Sequence, residues 1–97
     1  MSFRLENRLD TDTETLETAA AVYGAQMQAV VAVEEMAELT KELCKFQRGG
    51  LRPEKLAEEL ADVELLLAQL RILFGNAEAV EKWKAKKLLR LRERMGI

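Results

Sequence analysis

Histidine is absent from this chain of 97 residues, and its absence excludes several kinds of site. The sequence cannot build a zinc site with histidine ligands, a Ser-His-Asp triad or the Glu-x-x-His motif of di-iron bundles. Any bound metal must rest on carboxylates, which favours magnesium or manganese. The single cysteine, Cys44, cannot form a disulfide within the chain, so a reduced, cytoplasmic location is expected.

Long apolar runs are lacking as well. No uncharged stretch approaches the roughly 18 residues that a membrane span needs, and the charged N-terminal residues have no apolar run of a secretory signal behind them. The formal net charge is only −2, which does not favour a nucleic-acid-binding protein. We therefore expect neither a membrane nor a nucleic acid as a partner.

Proline and glycine are scarce, and most of them fall where helical patterns end. Pro53 suits the first turn of a helix, whereas Gly49-Gly50 and Gly75 suit helix C-termini. The sequence predicts an all-α fold, an antiparallel bundle of about four helices over residues 11–23, 25–48, 53–74 and 77–95. The first helix is expected to stop, kink or continue at Gly24. Residues 1–10 are predicted to form a flexible arm, and residues 11–97 the helical domain.

Apolar residues recur at helical spacing and predict which faces pack together. The stripe of the third predicted helix comprises Leu56, Leu60, Val63, Leu67, Leu70 and Phe74. The stripe of the second comprises Ala29, Ala32, Val33, Met36, Leu39, Leu43 and Phe46. Met27, Val30 and Val31 fall off this stripe, which indicates a second packing partner. That partner is either the first helix or another subunit, and a homodimer or homotetramer joined through helix faces is expected.

Two groups of acids lie on successive predicted helices, in the segments Glu34-Glu35-Met36-Ala37-Glu38 and Glu58-Glu59-Leu60-Ala61-Asp62. Residues three apart share a helix face. Two such helices packed side by side would bring together four carboxylates, those of Glu35, Glu38, Glu59 and Asp62. Carboxylates cannot crowd together without a positive charge between them, and a hard divalent cation is the obvious candidate.

The alternative is a solvated helix face with ordinary ion pairs. It fits the acids that have lysines nearby, which are Glu42, Glu54 and Glu58, with Lys41, Lys45 and Lys55 as partners. It fits Glu59 poorly, because at about 100° per residue Glu59 lies only about 40° from Val63, inside the apolar stripe. A lone ionised carboxylate that faces a core is costly. Position and spacing alone leave both interpretations open.

The acids belong to a longer pattern, which runs Tyr23-Gly24, Gln28, Glu34-Glu35-x-x-Glu38-Leu39, Arg48-Gly49, Glu58-Glu59-x-x-Asp62-Val63 and Lys87-x-x-Arg90-Leu91. Over about residues 14–95 the chain resembles the MazG-like, all-α nucleoside triphosphate pyrophosphohydrolases. Either half of the acidic motif would be weak alone, but the two halves together are fairly specific. The resemblance implies hydrolysis of a nucleoside or deoxynucleoside triphosphate to the monophosphate and pyrophosphate, a house-cleaning reaction on the nucleotide pool.

The resemblance also implies a role for each acid. Magnesium, with manganese as a substitute, would be held by Glu35, Glu38, Glu59 and Asp62. Glu34 would orient or deprotonate the attacking water, or hold a further metal. Members of the family are typically dimers or dimers of dimers, with the nucleotide near a subunit interface.

Four further residues are candidates for substrate binding. Lys87 and Arg90 share a face of the last helix and would contact phosphate, as would Arg48 beside Gly49. Gln28, one helical heptad before Glu35, could reach a base or a sugar. The ordinary alternatives are also open, because basic residues near a helix C-terminus complement its dipole and Gln28 could be a surface residue.

Two other functions compete with the enzyme. A non-catalytic helical assembly or regulatory module on the same fold would explain the apolar residues on two sides of the second predicted helix. A nucleic-acid binder built on the basic last helix is a weaker idea, because the net charge is near neutral and the middle of the chain is acidic.

Overall fold

The structure is a computed structural model that describes the backbone of residues 2–97 and the side chains of residues 12–97. It has three helices, α1 (Ser2–Gln47), α2 (Pro53–Phe74) and α3 (Ala77–Met95). The described part of the chain contains no strand, which confirms the all-α class. No helix among the described residues is long and apolar enough to cross a membrane.

The helix count differs from the predicted four because two predicted helices form one kinked helix. α1 already begins at Ser2, so the predicted start at residue 11 is wrong, and it continues past Gly24. Gly24 has φ 80° and ψ 166°, which is not a helical conformation. Residues 12–47 would be about 54 Å long as a straight helix, but the longest extent of the structure along a principal axis is only 39 Å. Gly24 therefore marks a sharp bend. The arm predicted for residues 1–10 lies outside the described side chains, and its flexibility stays a prediction.

α1 and α2 pack against each other as a helical hairpin, as their short connection predicts. An ion pair fastens the connection. Arg52 donates from Nε to Oε2 of Glu42 at 3.2 Å and pairs through Nη2 with Oε1. The Glu42 side chain is only 4% exposed, so the prediction of a solvated Glu42 is wrong, although its expected ion pair with a nearby lysine is present at 3.6 Å from Lys45. Residue spacing within one helix could not show that an arginine ten positions later would cover this carboxylate.

α3 contacts α2 only next to their connection, so the prediction that all successive helices are antiparallel neighbours is wrong for this pair. The contact includes Arg71, whose Nη2 donates to the carbonyl oxygen of Ala77 and to Oε2 of Glu81, both at 3.2 Å. Gly75 adopts the left-handed conformation with φ 60° and turns the chain away from α2. α3 contains no buried residue and makes no contact with α1 among the described residues.

The interior between α1 and α2 is unusually polar. The buried apolar residues of the described chain are Ala20, Ala32 and Leu66, whereas the buried polar residues are Gln28, Glu42 and Glu59. Much of the predicted apolar stripe of α1 faces outward instead, because Val33 is 64% and Phe46 55% exposed. The same is true in α2 of Leu60, Leu67 and Phe74. The predicted packing faces are therefore partly wrong, since the residues buried between α1 and α2 include the polar side chains of Gln28, Glu42 and Glu59.

Candidate functional site

Three of the four predicted metal ligands converge between α1 and α2. Glu59 and Asp62 are three residues apart on α2 and share a face, while Glu35 reaches them from the inward stripe of α1. One carboxylate oxygen from each residue lies within 4.8 Å of the other two. Glu59 is buried, and Glu35 and Asp62 are half-buried. The three acids, named here the acid cluster, offer oxygen ligands at a spacing that one cation could bridge.

Only one of the two carboxylate oxygens of Glu59 has a partner among the described residues. Its side chain forms an ion pair through Oε1 with Nζ of Lys55 at 3.0 Å. Oε2 is buried and has no hydrogen-bond partner among the described side chains. Only 3% of the residue is exposed, so water cannot easily replace the missing partner. A buried carboxylate oxygen without a partner is costly, which makes this atom a point where a cation would bind favourably.

The electrostatics of Glu35 point to the same need. The pKa of Glu35 is raised, and the largest cause is burial. The next causes are the negative charge of Asp62 and a hydrogen bond between the side chains of Glu35 and Asp62. The charges of Glu59 and Glu38 raise the pKa of Glu35 further. In this environment the ionised form of Glu35 is disfavoured, and a cation placed among these oxygens would remove the penalty.

The two remaining acids of the α1 motif lie outside the acid cluster. Glu34 and Glu38 are both exposed. Glu38 is still close enough for its charge to raise the pKa of Glu35. Within one chain, the structure therefore shows Glu38 near the acid cluster and does not bring Glu34 into it.

A cavity of about 450 Å³ adjoins the acid cluster. Glu35 and Asp62 line it together with apolar side chains of both helices, among them Met27, Val31 and Leu66. Gln28 also lines the cavity and is 4% exposed. Its Oε1 is buried without a hydrogen-bond partner in the described part of the chain. The structure thus places Gln28 beside the acids rather than on the ordinary protein surface.

The predicted phosphate-binding residues are not brought to the acid cluster within one chain. Arg48 is exposed in the α1–α2 connection. Lys87 and Arg90 are exposed on α3, where they line a small surface cavity of about 280 Å³ with Leu91 and Arg94. Because α3 does not lie close to α1 in the described residues, the structure does not bring Lys87 or Arg90 to the acid cluster within one chain.

Sequence reasoning missed two features of the site. Lys55 was assigned to a solvated face, yet it pairs with the buried Glu59 as well as with Glu58, 3.5 Å away. The four-residue spacing from Lys55 to Glu59 could have indicated this pair. The cavity with Leu65, Leu66 and Gln69 on its α2 side could not be found in this way, because it depends on how the two helices align.

The chain was compared with protein-family models, with curated proteins and with solved structures, and none of them matches it. The resemblance to the MazG-like enzymes is therefore carried by the motif residues alone, and the acid cluster and its cavity have to be interpreted from their own chemistry.

Proposed function

We propose that this chain is a magnesium-dependent nucleoside triphosphate pyrophosphohydrolase of the MazG-like type, which hydrolyses a nucleoside or deoxynucleoside triphosphate to the monophosphate and pyrophosphate. The observation that carries the proposal is the convergence of carboxylate oxygens of Glu35, Glu59 and Asp62 within 4.8 Å, with one oxygen of Glu59 buried and without a hydrogen-bond partner among the described residues. A nucleotide pool that needs such house-cleaning is cytoplasmic, in agreement with the lone Cys44.

The donor set fits magnesium or manganese. All three side chains supply carboxylate oxygens, which both ions prefer, and Glu38 is the proposed fourth ligand from the solvent side. When bound, the metal would supply positive charge that attracts the triphosphate and polarises its α-phosphoryl group. Without that charge the three carboxylates would repel an anionic substrate.

The remaining motif residues take their proposed roles from the resemblance, and their exposure is compatible with those roles. Glu34 is exposed beside Glu35 on α1, where it can orient or deprotonate a water molecule that approaches from solvent. Arg48, Lys87 and Arg90 are exposed cations suited to the outgoing pyrophosphate. Since α3 does not reach α1 in its own chain, we assign the phosphate contacts of Lys87 and Arg90 to the site of a second copy.

A second copy is also needed to cover apolar surface. Large apolar residues are exposed on every helix of the described chain, including Val30 on α1, Leu65 on α2 and Leu88 on α3. Exposed apolar side chains in this number favour a covering partner, because monomeric proteins rarely expose large apolar patches. We propose a homodimer or homotetramer, in which helix faces of neighbouring copies pack together.

The decisive test is the release of pyrophosphate from a panel of canonical and modified nucleoside triphosphates, with and without magnesium. Glu59→Gln and Glu38→Gln should each abolish turnover while far-UV circular dichroism stays unchanged. Glu58→Gln is the matched control, because Glu58 is adjacent in sequence but its side chain is 64% exposed, and it should keep wild-type activity. Full activity in both Glu59→Gln and Glu38→Gln would show that the ligand assignment is wrong.

The alternative function is a non-catalytic assembly or regulatory module. The outward apolar residues of α1 favour it, because Met27 is 52%, Val30 54% and Val33 64% exposed. Such a module would associate through these faces and release no pyrophosphate from any triphosphate in the panel. Magnesium could still raise its melting temperature by binding the acid cluster, so turnover is the measurement that separates the two functions.

A further inference from the structure

We infer that the cavity beside the acid cluster binds the heteroaromatic base of the nucleotide, and that the amide of Gln28 recognises the edge of that base. This inference rests on the proposed function, since it names which part of the same substrate enters the cavity. It also decides between the two contacts that the sequence left open for Gln28, because it assigns the base rather than the sugar.

The amide of Gln28 has the features of a group that awaits a ligand. It is 96% buried, since only 4% of the residue is exposed, and its Oε1 has no hydrogen-bond partner among the residues that the structure describes. A buried amide oxygen without a partner destabilises the folded chain. A glutamine amide presents a donor beside an acceptor, which is the pattern that pairs with adjacent acceptor and donor groups on the edge of a base.

The rest of the cavity suits the flat faces of an aromatic ring. Its volume of about 450 Å³ lies in the range of small-molecule sites. Met27 and Val31 of α1 face Leu65 and Leu66 of α2 across it, so its walls are mainly apolar. Hydrocarbon and thioether groups can contact a base above and below its plane while a single polar group fixes its edge.

The position of the cavity relative to the acid cluster determines how a bound nucleotide would be oriented. Glu35 and Asp62 belong both to the cavity lining and to the acid cluster, so the two sites share a boundary. A base held at Gln28 would therefore point its sugar and phosphates toward the carboxylates. An inorganic triphosphate, which has no base, would use the acid cluster alone.

That difference supplies the experiment. Binding of two probes is measured by calorimetry in the presence of magnesium: a non-hydrolysable α,β-methylene nucleoside triphosphate, tested with each of the common bases, and inorganic tripolyphosphate. Gln28→Leu removes the amide, Gln28→Met repeats the test at matched length, and Gln26→Leu is the control at an exposed glutamine of the same helix. Circular dichroism confirms that each variant is folded.

We expect both Gln28 variants to bind the best nucleotide analogue at least tenfold more weakly, to discriminate less between bases, and to bind tripolyphosphate as wild type does. Gln26→Leu should resemble wild type with both probes. Unchanged nucleotide affinity in both Gln28 variants, or an equal loss with tripolyphosphate, would overturn the inference even if pyrophosphate is still released. Base-selective binding that depends on Gln28, without turnover of any triphosphate, would instead support the base site while the proposed enzymatic function fails.

Discussion

Lys55 lies 3.0 Å from Oε1 of Glu59, and it is the closest cation to the acid cluster that the described residues provide. Its pKa is raised, chiefly by the hydrogen bond to Glu59 and then by the charges of Glu58 and Glu59. Lys55 thus lies against one oxygen of Glu59, while Oε2 of Glu59 has no hydrogen-bond partner among the described residues.

From the Lys55–Glu59 pair we predict that replacing Lys55 changes both the melting temperature without metal and the stabilisation by magnesium. Lys55→Met should lower the melting temperature without metal, because it removes the cation that pairs with the buried carboxylate of Glu59. The same variant should be stabilised more than wild type by magnesium, because the metal then supplies the whole counter-charge. Thermal unfolding across a magnesium titration measures both effects. Lys41→Met, at an exposed position of α1, is the control, and an unchanged magnesium response in Lys55→Met would contradict the prediction.

For Glu35 we expect that removing the carboxylate stabilises the metal-free chain and abolishes the stabilisation by magnesium. Its pKa is raised in the folded chain by burial and by Asp62, so its ionisation costs free energy on folding. Its contribution to stability is complete below the ordinary glutamate pKa of 4.5 and is lost as the pH rises through the higher folded pKa. Glu35→Gln should therefore melt at a higher temperature than wild type at neutral pH without metal, yet gain nothing from magnesium.

The measurement for Glu35 is the melting temperature of both proteins from pH 4 to pH 8, with and without magnesium. The advantage of Glu35→Gln without metal should grow as the pH rises and should vanish in acid. A variant that is less stable than wild type at pH 8, or that still responds fully to magnesium, would show that Glu35 does not belong to the acid cluster.

The ion pair of Glu42 and Arg52 predicts the reverse dependence on pH. The pKa of Glu42 is lowered, chiefly by its hydrogen bond with Arg52 and against the effect of burial. Its stabilisation is present above the ordinary pKa of 4.5 and is lost as the pH falls through the lower folded value. Arg52→Met should destabilise the hairpin at pH 7, since it leaves the buried carboxylate of Glu42 with Lys45, 3.6 Å away, as its remaining counter-charge.

A double-mutant cycle checks the Glu42–Arg52 pair. Denaturant unfolding at pH 7 of Arg52→Met, Glu42→Gln and the double variant should show that the second substitution restores part of the lost stability. The matched cycle on Arg71 and Glu81, whose side chains are 33% and 56% exposed, should give a smaller coupling. Equal coupling in the two cycles would argue against a special role for the part-buried pair of Glu42 and Arg52.

A composite site predicts recovery of activity on mixing. Glu59→Gln lacks a proposed metal ligand, and a variant with both Lys87→Ala and Arg90→Ala lacks the proposed phosphate contacts, so each should be inactive alone. Unfolding and refolding the two together should form mixed dimers in which one of two sites is intact. Because mixed dimers make up half of the population, roughly a quarter of wild-type activity should return. No recovery, although mixed dimers are shown to form, would place both sets of residues in the site of one chain.

The sequence predicted those features of the fold that depend on single residues or on the pattern within one helix. It did not predict features that depend on how two helices align. The bounds Pro53–Phe74 and Ala77–Met95 follow from Pro53 and the glycines, because one residue decides where a helix begins or ends. The inward face of α1 was predicted poorly, because an apolar stripe shows that a face will be covered but not which surface covers it. Glu59 was placed correctly since it lies inside the stripe of its own helix. The Arg52 partner of Glu42 and the cavity at Gln28 needed the alignment of two helices, which no spacing within one helix contains.

The outward apolar stripe of α1 has a consequence for how this chain folds. Ala20, Ala32 and Leu66 are the buried apolar residues of the described chain, so a single copy has little core of its own. In the proposed oligomer, folding and association are then one equilibrium, and the temperature of unfolding will rise with the total concentration of the protein. On dilution, the proposed oligomer will dissociate, and the separated chains will unfold their helical hairpin.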